Sequence, residues 1–315
     1  MTPDPDVLVA GECLVDFIPD RSGRLADVRR FERRAGGAPA NVAVRLAGLG
    51  PAPYLWTRLG ADPFGDHLAA TLADHGLPER FVVRDDDAKT TLAFVAHDES
   101  ADRDFSFRRE ATADTRFRPG AVPDETLSAL EWVAFGGVAL STDPARTATF
   151  DLAERAREHG CTTVFDPNAR PELWDGGFSE VVETAFGLAD VVKATPADLA
   201  AAGLDGDPAA LLDDVVAMGP HTVLLTLGSA GARATATAAA PWGSADVAHD
   251  GFDVEAVDTT GAGDAFTAGA LRALADGDPL SEAVAVGNAV AAAATTEEGA
   301  MSAAVDRERV RAIRE

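Results

Sequence analysis

Short apolar runs alternate with amphipathic stretches along most of the chain. Runs typical of buried strands lie at residues 7–10, 54–59, 132–135, 162–165, 190–192 and 223–227. Apolar residues at helical spacing predict helices at residues 39–49, 63–75, 145–159, 209–218, 262–275 and 281–294. This alternation predicts an α/β fold, a doubly wound, mostly parallel sheet with helices on both faces. Ligands of such sheets bind beyond the carboxyl ends of the strands.

Two segments break this alternation. Residues 12–34 continue past the first strand without an obvious helix, and residues 89–97 and 103–108 predict a hairpin around the polar turn 98–102. We therefore expect one domain over residues 1–315, with a small β lid formed by roughly residues 12–34 and 88–112. An exposed lid sheet has unpaired edges, so a homodimer through the lid is compatible with the sequence.

The charge balance narrows the range of partners. The chain has 52 acidic residues against 27 Lys and Arg, which gives a formal net charge of −25. Such a surface repels nucleic acid and anionic membranes. No run approaches the ~20 apolar residues that cross a membrane, and the acidic N-terminus lacks the basic region of a signal peptide. The sequence therefore predicts a cytoplasmic protein that binds neither nucleic acid nor membrane.

The use of lysine and cysteine is also informative. Lys89 and Lys193 are the only lysines in a chain rich in acids and alanine. This composition is expected of a protein that works in concentrated salt, where self-repulsion is screened, with ordinary acidic drift as the alternative. Cys13 and Cys161 lie in apolar runs, which indicates buried free thiols rather than a disulfide or a metal site.

The strongest chemical signal is the motif DTTGAGDAF at residues 258–266, preceded by a strand-like run at 252–257. Gly261 and Gly263 permit a tight turn with exposed N–H groups, and a helix beginning near Ala262 points its positive end at that turn. Together these features predict an anion hole for a transferring phosphoryl group, made by Gly261, Ala262 and Gly263. Asp264 lies in the first helical turn, where it can take the proton of an attacking hydroxyl.

This motif resembles the C-terminal signature of the ribokinase-like, or PfkB, carbohydrate kinases. A second signature of that family is present as AGGAPANVA at residues 35–43, running into LAGLG at 46–50. The resemblance extends from near residue 8 to near residue 300, and the absence of GxxxxGK[ST] excludes a P-loop kinase. It implies transfer of the γ-phosphoryl of ATP to a primary hydroxyl of a sugar, with Mg2+ on the phosphates and K+ beside the anion hole.

The N-terminal half predicts the sugar site. Gly36 and Gly37 let the backbone approach a ligand closely, and Asn41 supplies the donor and the acceptor that a polyol requires. The family resemblance implies that Asp16 holds two sugar hydroxyls. It also implies that Arg109 and Arg170 lie near the sugar.

Several stretches resemble fructokinases within this family: GECLVDFIP at 11–19, TLAFV at 91–95, RDFSFRR at 103–109 and FDPNAR at 165–170. Fructose, giving fructose 6-phosphate, is therefore the first expectation. Arg108 stands where fructokinases usually carry Tyr, and arginines near the pocket fit a carboxylate, which keeps a 2-keto-3-deoxygluconate kinase as the alternative. A non-catalytic sugar or nucleotide sensor is a third possibility, against which the intact Asp264 and its glycines speak.

The C-terminal half predicts the nucleotide site by the same resemblance. Residues that match ribose, phosphate and adenine contacts are Thr226, Gly228, Gly231 and Asn288, although a small-residue helix face also explains the last. Thr195 and Asp198 match positions linked to the Mg2+ water shell, and Asp258 and Thr260, with backbone at 296–299, match ligands of a monovalent cation. Lys193 is either a phosphate contact or a solvated surface lysine.

Overall fold

The protein is described by a computed structural model over residues 5–21, 23–97, 103–301 and 305–315. Its strands are β1 Val7–Ala10, β2 Leu14–Pro19, β3 Phe31–Gly36, β4 Tyr54–Gly60, β5 Val82–Asp85, β6 Leu92–His97, β7 Arg103–Arg108, β8 Trp132–Gly136, β9 Thr162–Asp166, β10 Val191–Ala194, β11 Thr222–Thr226, β12 Ala232–Ala236 and β13 Ala245–His249. Its α-helices are α1 Ala38–Leu49, α2 Pro63–Asp74, α3 Asp124–Leu127, α4 Ala145–Glu158, α5 Phe178–Leu188, α6 Pro196–Ala201, α7 Pro208–Ala217, α8 Ala262–Ala275, α9 Leu280–Thr295 and α10 Arg307–Arg314.

The main sheet has nine strands in the order β13-β12-β11-β10-β9-β8-β1-β4-β5. The seven strands from β11 to β5 run parallel, and β12 and β13 add an antiparallel edge. The chain builds the sheet outward from β1, first through β4 and later through β8 on the other side. The order therefore reverses between β1 and β8, and a ligand crevice is expected at the carboxyl ends of these two strands.

The core lies on both faces of this sheet, as the sequence predicts. Val7 and Val9 of β1 belong to one apolar cluster with α1, α2, α8 and α9. Leu8 and Ala10 point to the other face, which α4, α5, α6 and α7 cover. Because successive side chains of a strand alternate between faces, a run that is apolar throughout is buried on both sides.

The predicted lid is a separate four-stranded sheet in the order β3-β2-β6-β7. The β6–β7 hairpin pairs as expected, from Leu92 opposite Arg108 to His97 opposite Arg103, while the turn 98–102 lies outside the described residues. Phe17, Phe31 and Phe94 pack against one another on the lid face opposite Asp16, where Phe64 of α2 meets Phe17. This aromatic contact fixes the lid sheet to the main domain.

One local prediction is wrong: residues 252–257 do not form a strand. Their place at the sheet edge is taken by β12 and β13, which pair antiparallel beyond β11. The segment instead runs along α9, where the Val257 and Asp258 amides both donate to the Thr295 carbonyl, at 2.7 and 3.1 Å. Both cysteines are buried and free, as predicted, and no helix among the described residues is long and apolar enough to span a membrane.

Candidate active site

The N-terminus of α8 carries the residues that the motif singled out. Gly261 caps the helix in the left-handed conformation, with φ 74°, which a residue with a side chain adopts at a cost. Asp264 follows in the first turn, is buried, and accepts a hydrogen bond from Asn41 Nδ2 at 2.7 Å. Burial raises the pKa of this carboxyl, opposed by the Asn41 bond and the positive charges of Lys193 and Arg170. A raised pKa makes the carboxylate a stronger proton acceptor.

At residues 36 and 37, glycine allows close contacts within the protein, while the predicted approach of this backbone to a ligand stays a prediction. A Cβ on Gly36 would lie 2.0 Å from Asp16 Oδ2, and one on Gly37 would lie 2.6 Å from the Glu12 carbonyl oxygen. Gly37 also has φ 103° and caps α1, whose first turns bring Asn41 to Asp264. The close contact at Gly36 therefore places Asp16 beside the turn that leads into α1, the helix that carries Asn41.

Two cavities meet at the α8 turn. A cavity of about 510 Å³ under the lid is lined by Asp16, Arg34, Phe105 and Thr260, among others. A second cavity of about 390 Å³ is lined by Gly263 and by the predicted nucleotide residues Thr195, Thr226, Gly228, Gly231 and Asn288. Thr259 lines both cavities, so the turn that begins the helix separates them.

Within the second cavity, two predicted residues have defined local roles. A Cβ on Gly231 would lie 2.0 Å from the His249 carbonyl oxygen, so close packing of β12 on β13 requires glycine there. Asn288 lies on α9 and donates from Nδ2 to the Val284 carbonyl at 2.9 Å, which leaves its Oδ1 as the acceptor for another group.

Lys193 is buried, so the solvated-surface alternative is wrong. Its Nζ donates to Asp166 Oδ2 at 2.9 Å and lies 3.0 Å from where a Cβ on Gly263 would be. Burial alone would lower the pKa of Lys193, but the carboxylates of Asp166, Asp198 and Asp264 raise it. The ammonium is therefore charged and lies beside the predicted anion hole.

Asp198 and Thr195 form a capping box at the start of α6. Asp198 Oδ2 accepts from the Thr195 amide at 2.9 Å and hydroxyl at 2.7 Å, and Oδ1 accepts from the Ala169 amide at 2.8 Å. With protein donors on both oxygens, this carboxylate is suited to a water-mediated contact with a metal ion rather than to direct ligation.

Asp258 joins two loops. Its Oδ1 accepts from the Thr260 amide at 2.9 Å and hydroxyl at 2.5 Å, and its Oδ2 accepts from the Gly299 amide at 3.0 Å. The carboxylate, the Thr260 hydroxyl and the nearby carbonyls are oxygen atoms of the kind that hard cations bind.

The three arginines differ in position. Arg109 is buried, donating from Nε to Asp114 at 2.6 Å and from Nη1 to Ser141 at 2.7 Å. Arg170 lies with its guanidinium 5.2 Å from the ring centre of Phe105, a lid residue that lines the larger cavity. Arg108 is exposed and bonds to its neighbours Ser106 and Phe107.

Sequence reasoning assigned no role to two acids at this site. Asp166 is the half-buried last residue of β9, in the quoted FDPNAR stretch, and loss of solvent contact raises its pKa to about 6 although Lys193 opposes the shift. Glu12 follows β1, and burial raises its pKa to about 8. The sequence does contain a signal for both acids. Each lies at or just after the carboxyl end of an apolar strand, where the ligand crevice of such a sheet forms.

Comparison with known proteins agrees with this geometry. The chain matches the description "pfkB family carbohydrate kinase" over residues 4–307. The chain belongs to this family. Fructokinase-1 of Zea mays is 34% identical, with 94% of this chain and 93% of the maize protein covered.

Solved structures agree along the whole length. A fructokinase from Xylella fastidiosa with bound ATP is 32% identical, has a TM-score of 0.84, and is covered over 98% of this chain and 97% of its own. A fructokinase from Vibrio cholerae O395 with fructose, ADP and calcium is 31% identical, has a TM-score of 0.85, and is covered over 99% of both chains. A double mutant of the Vibrio protein was solved with fructose, ADP and potassium. The predicted ribokinase-like fold and carbohydrate kinase family are confirmed.

Proposed function

We propose that this carbohydrate kinase transfers the γ-phosphoryl of ATP to the primary hydroxyl of fructose, giving fructose 6-phosphate. The observation that carries the proposal is the α8 turn, which separates a polar cavity under the lid from the cavity with the predicted nucleotide residues. A phosphoryl group passing from one cavity to the other crosses the N-terminus of a helix, where N–H groups stabilise its charge.

The residue roles follow from these positions. Asp16, Gly36, Gly37 and Asn41 hold the sugar, and Asp264 accepts the proton of the attacking hydroxyl. The turn Gly261, Ala262 and Gly263 stabilises the transferring group, and the Lys193 ammonium adds a positive charge beside it. Because phosphoryl transfer depends mainly on positioning and charge neutralisation, one well-placed carboxylate is a sufficient base.

The proposed cofactors are ATP, Mg2+ and K+. The second cavity has room for a nucleotide, with Thr195, Thr226, Gly228, Gly231 and Asn288 on its walls. Magnesium, when bound with the nucleotide, neutralises phosphate charge, and Thr195 and Asp198 would hold its water shell. Asp258 and Thr260 would hold K+ through their oxygen atoms. The bound ion would stabilise the anion-hole turn.

Fructose is preferred to a sugar acid because the arginines do not converge. A carboxylate clamp needs guanidinium groups that face the ligand together. Arg108 is exposed on the lid, and Arg109 is engaged with Asp114 and Ser141. Of these three arginines, Arg170 lies beside Phe105, a residue of the larger cavity, which suits one hydrogen bond to a neutral ketose. That Arg109 and Arg170 bind the substrate stays a prediction.

The test is a coupled ADP-release assay with a panel of sugars that includes fructose and 2-keto-3-deoxygluconate. We expect kcat/KM for fructose to be the highest. A preference of tenfold or more for the acid, which corresponds to ~1.4 kcal/mol, would reverse the assignment. If no sugar of the panel leads to ADP release, a non-catalytic sensor becomes the favoured assignment.

A homodimer through the lid is a further proposal. The edge strands of the lid sheet are β3 and β7. Among the described residues no further strand pairs with their outer edges, so these edges can pair with a second copy of the chain. Sedimentation analysis over a range of protein concentrations tests it, and a monomer at all concentrations contradicts it.

A further inference from the structure

Asp258 is the structural link between the anion-hole turn and the loop that follows α9. Through Oδ1 it fixes Thr260, one residue before the helix cap Gly261, and through Oδ2 it fixes Gly299. A Cβ on Gly261 would lie 2.8 Å from Ala300 Cβ, so the two loops touch directly behind the turn. The position of the Asp258 carboxylate therefore sets the position of the anion hole.

A cation from the lid reaches this carboxylate. Arg34 lies on β3 opposite Asp16 of β2, on the lid face that lines the larger cavity. Its Nη1 is 3.4 Å from Asp258 Oδ2 and its Nη2 is 2.8 Å from Glu298 Oε2, so one guanidinium contacts both loops. Glu32, two residues earlier on the same face, accepts from Arg34 Nε at 3.0 Å and Nη2 at 2.9 Å.

The three ion pairs of Arg34 differ in electrostatic strength. Glu298 and Glu32 are 69% and 63% exposed, and pairs with such exposed partners contribute little. The Arg34 and Asp258 side chains are each only 19% exposed, which places their interaction in a medium of lower dielectric and weaker screening. The pair with Asp258 is thus the contact through which the position of the lid affects the anion hole.

We propose that Arg34 is a positioning residue for phosphoryl transfer: from the lid, it supplies a protein-borne positive charge to Asp258 and thereby joins the lid to the anion-hole turn. The guanidinium lies against a carboxylate that would also hold the proposed monovalent cation. Arg34 and K+ would therefore both balance the negative charge of Asp258, and the two positive charges would repel each other. The kinetic consequence rests on the proposed kinase function, whereas the effect on cation binding does not.

The experiment compares Arg34→Gln with Arg33→Gln. Arg33 is the neighbouring residue on β3, is exposed, and points to the opposite face of the lid, so its loss removes the same charge without touching Asp258. Arg34→Lys keeps the charge and serves as the conservative variant. The midpoint of thermal unfolding is measured in mixtures of KCl and tetramethylammonium chloride at constant ionic strength.

Removal of a unit charge near the site should lower the half-stabilising KCl concentration of Arg34→Gln about fivefold or more, relative to the unmodified protein and to Arg33→Gln. In the kinase assay, kcat of Arg34→Gln should fall in tetramethylammonium and recover with KCl, while Arg34→Lys stays near the unmodified protein. Equal loss of stability in both salts, or a KCl response identical to that of Arg33→Gln, would overturn the proposal. Failure of the kinase assay for the unmodified protein would instead count against the proposed function, because the thermal comparison needs no turnover.

Discussion

At the scale of single residues, the proposed chemistry depends on Asp264. It is buried at the first turn of α8 and held by Asn41 Nδ2 at 2.7 Å. Asp264→Asn keeps the size of the side chain and an oxygen for Asn41, but removes the proton acceptor. We expect kcat to fall by about 10²-fold or more, with sugar affinity little changed, measured by steady-state kinetics and calorimetric binding. Near-normal turnover would contradict the assignment of the base.

Glu12 gives a second test at this scale. Its Oε1 accepts from the Ala38 amide at 3.2 Å, Oε2 is buried without a partner, and burial raises the pKa from 4.5 to about 8. The folded protein holds this proton more tightly than the unfolded chain does. The free energy of unfolding should therefore fall as pH rises from about 4.5 to about 8, and Glu12 should contribute no further change above that range.

Glu12→Gln should remove this contribution, so that the variant loses less stability than the unmodified protein between pH 5.5 and pH 8. The expected difference is a few kcal/mol, measured by urea unfolding at several pH values. Glu154→Gln, an exposed change on α4, is the matched control. A slope for Glu12→Gln equal to that of the control would show that Glu12 is not protonated in the folded protein.

The residues that the sequence could predict are those in local motifs. Asp264, Asn41 and the glycines occur in short stretches whose spacing alone indicates a turn and a helix start. Their meeting across the domain, such as Asn41 with Asp264, depends on sheet order, which short-range pattern does not contain. For the same reason, the sequence shows neither the burial of Lys193 nor the pairing of Arg109 with Asp114.

At the scale of elements, α8 and α9 position the proposed nucleotide cavity through close packing. A Cβ on Gly269 would lie 2.8 Å from Val290 Cγ2 and 3.0 Å from Gly287 Cα, and one on Gly287 would lie 2.9 Å from the Phe266 ring. Phe266 and Asn288 both line the cavity. The glycines thus set the distance between the two helices and, with it, the width of the cavity.

Gly269→Ala should separate the helices and destabilise the protein by ~1–3 kcal/mol, the range for overpacking a dense core. Nucleotide affinity should fall as well, because the two walls of the cavity move apart. Gly187→Ala on α5 is the control, since its Cβ meets nothing within 4 Å and the change should stabilise slightly. Thermal unfolding and ADP titration check both. Equal midpoints for the two variants would contradict the packing argument.

Long periodic elements were predictable, whereas short edge elements were not. The buried strands and the helices of the main sheet show in the sequence because both faces of the sheet are covered. The β12–β13 ribbon is rich in alanine and has a half-exposed pattern in β13, so it carries little apolar periodicity. The run at 252–257 alternates apolar and acidic residues as an edge strand does, but Phe252 packs beside α9 and Val257 is exposed.

At the scale of the whole molecule, the site follows from the topology of the sheet. The order reverses between β1 and β8, and Val9, Phe135 and Gly136 from these strands line a small cavity with Asp264. Asp166, the last residue of β9, and Asn168 just beyond it line the cavity too. Helix α8 follows the strands of the main sheet in the chain, so its N-terminal turn lies over a crevice that the preceding strands form.

The net charge of −25 is a property of the whole molecule, and its consequence is an expected dependence on salt. With 52 acids on one chain, self-repulsion opposes the compact state, and the Debye length of ~10 Å at 0.1 M salt leaves many of these charges interacting. At 1 M the Debye length is ~3 Å, so repulsion between exposed carboxylates is largely screened. The buried cores on both faces of the sheet are insensitive to this change, so screening should act on stability without altering the fold.

We expect the midpoint of thermal unfolding to rise between 0.1 M and molar KCl, and to rise comparably in NaCl because screening does not distinguish the two cations. A midpoint that stays constant or falls with salt would contradict adaptation to concentrated salt and leave ordinary acidic drift as the explanation of the composition.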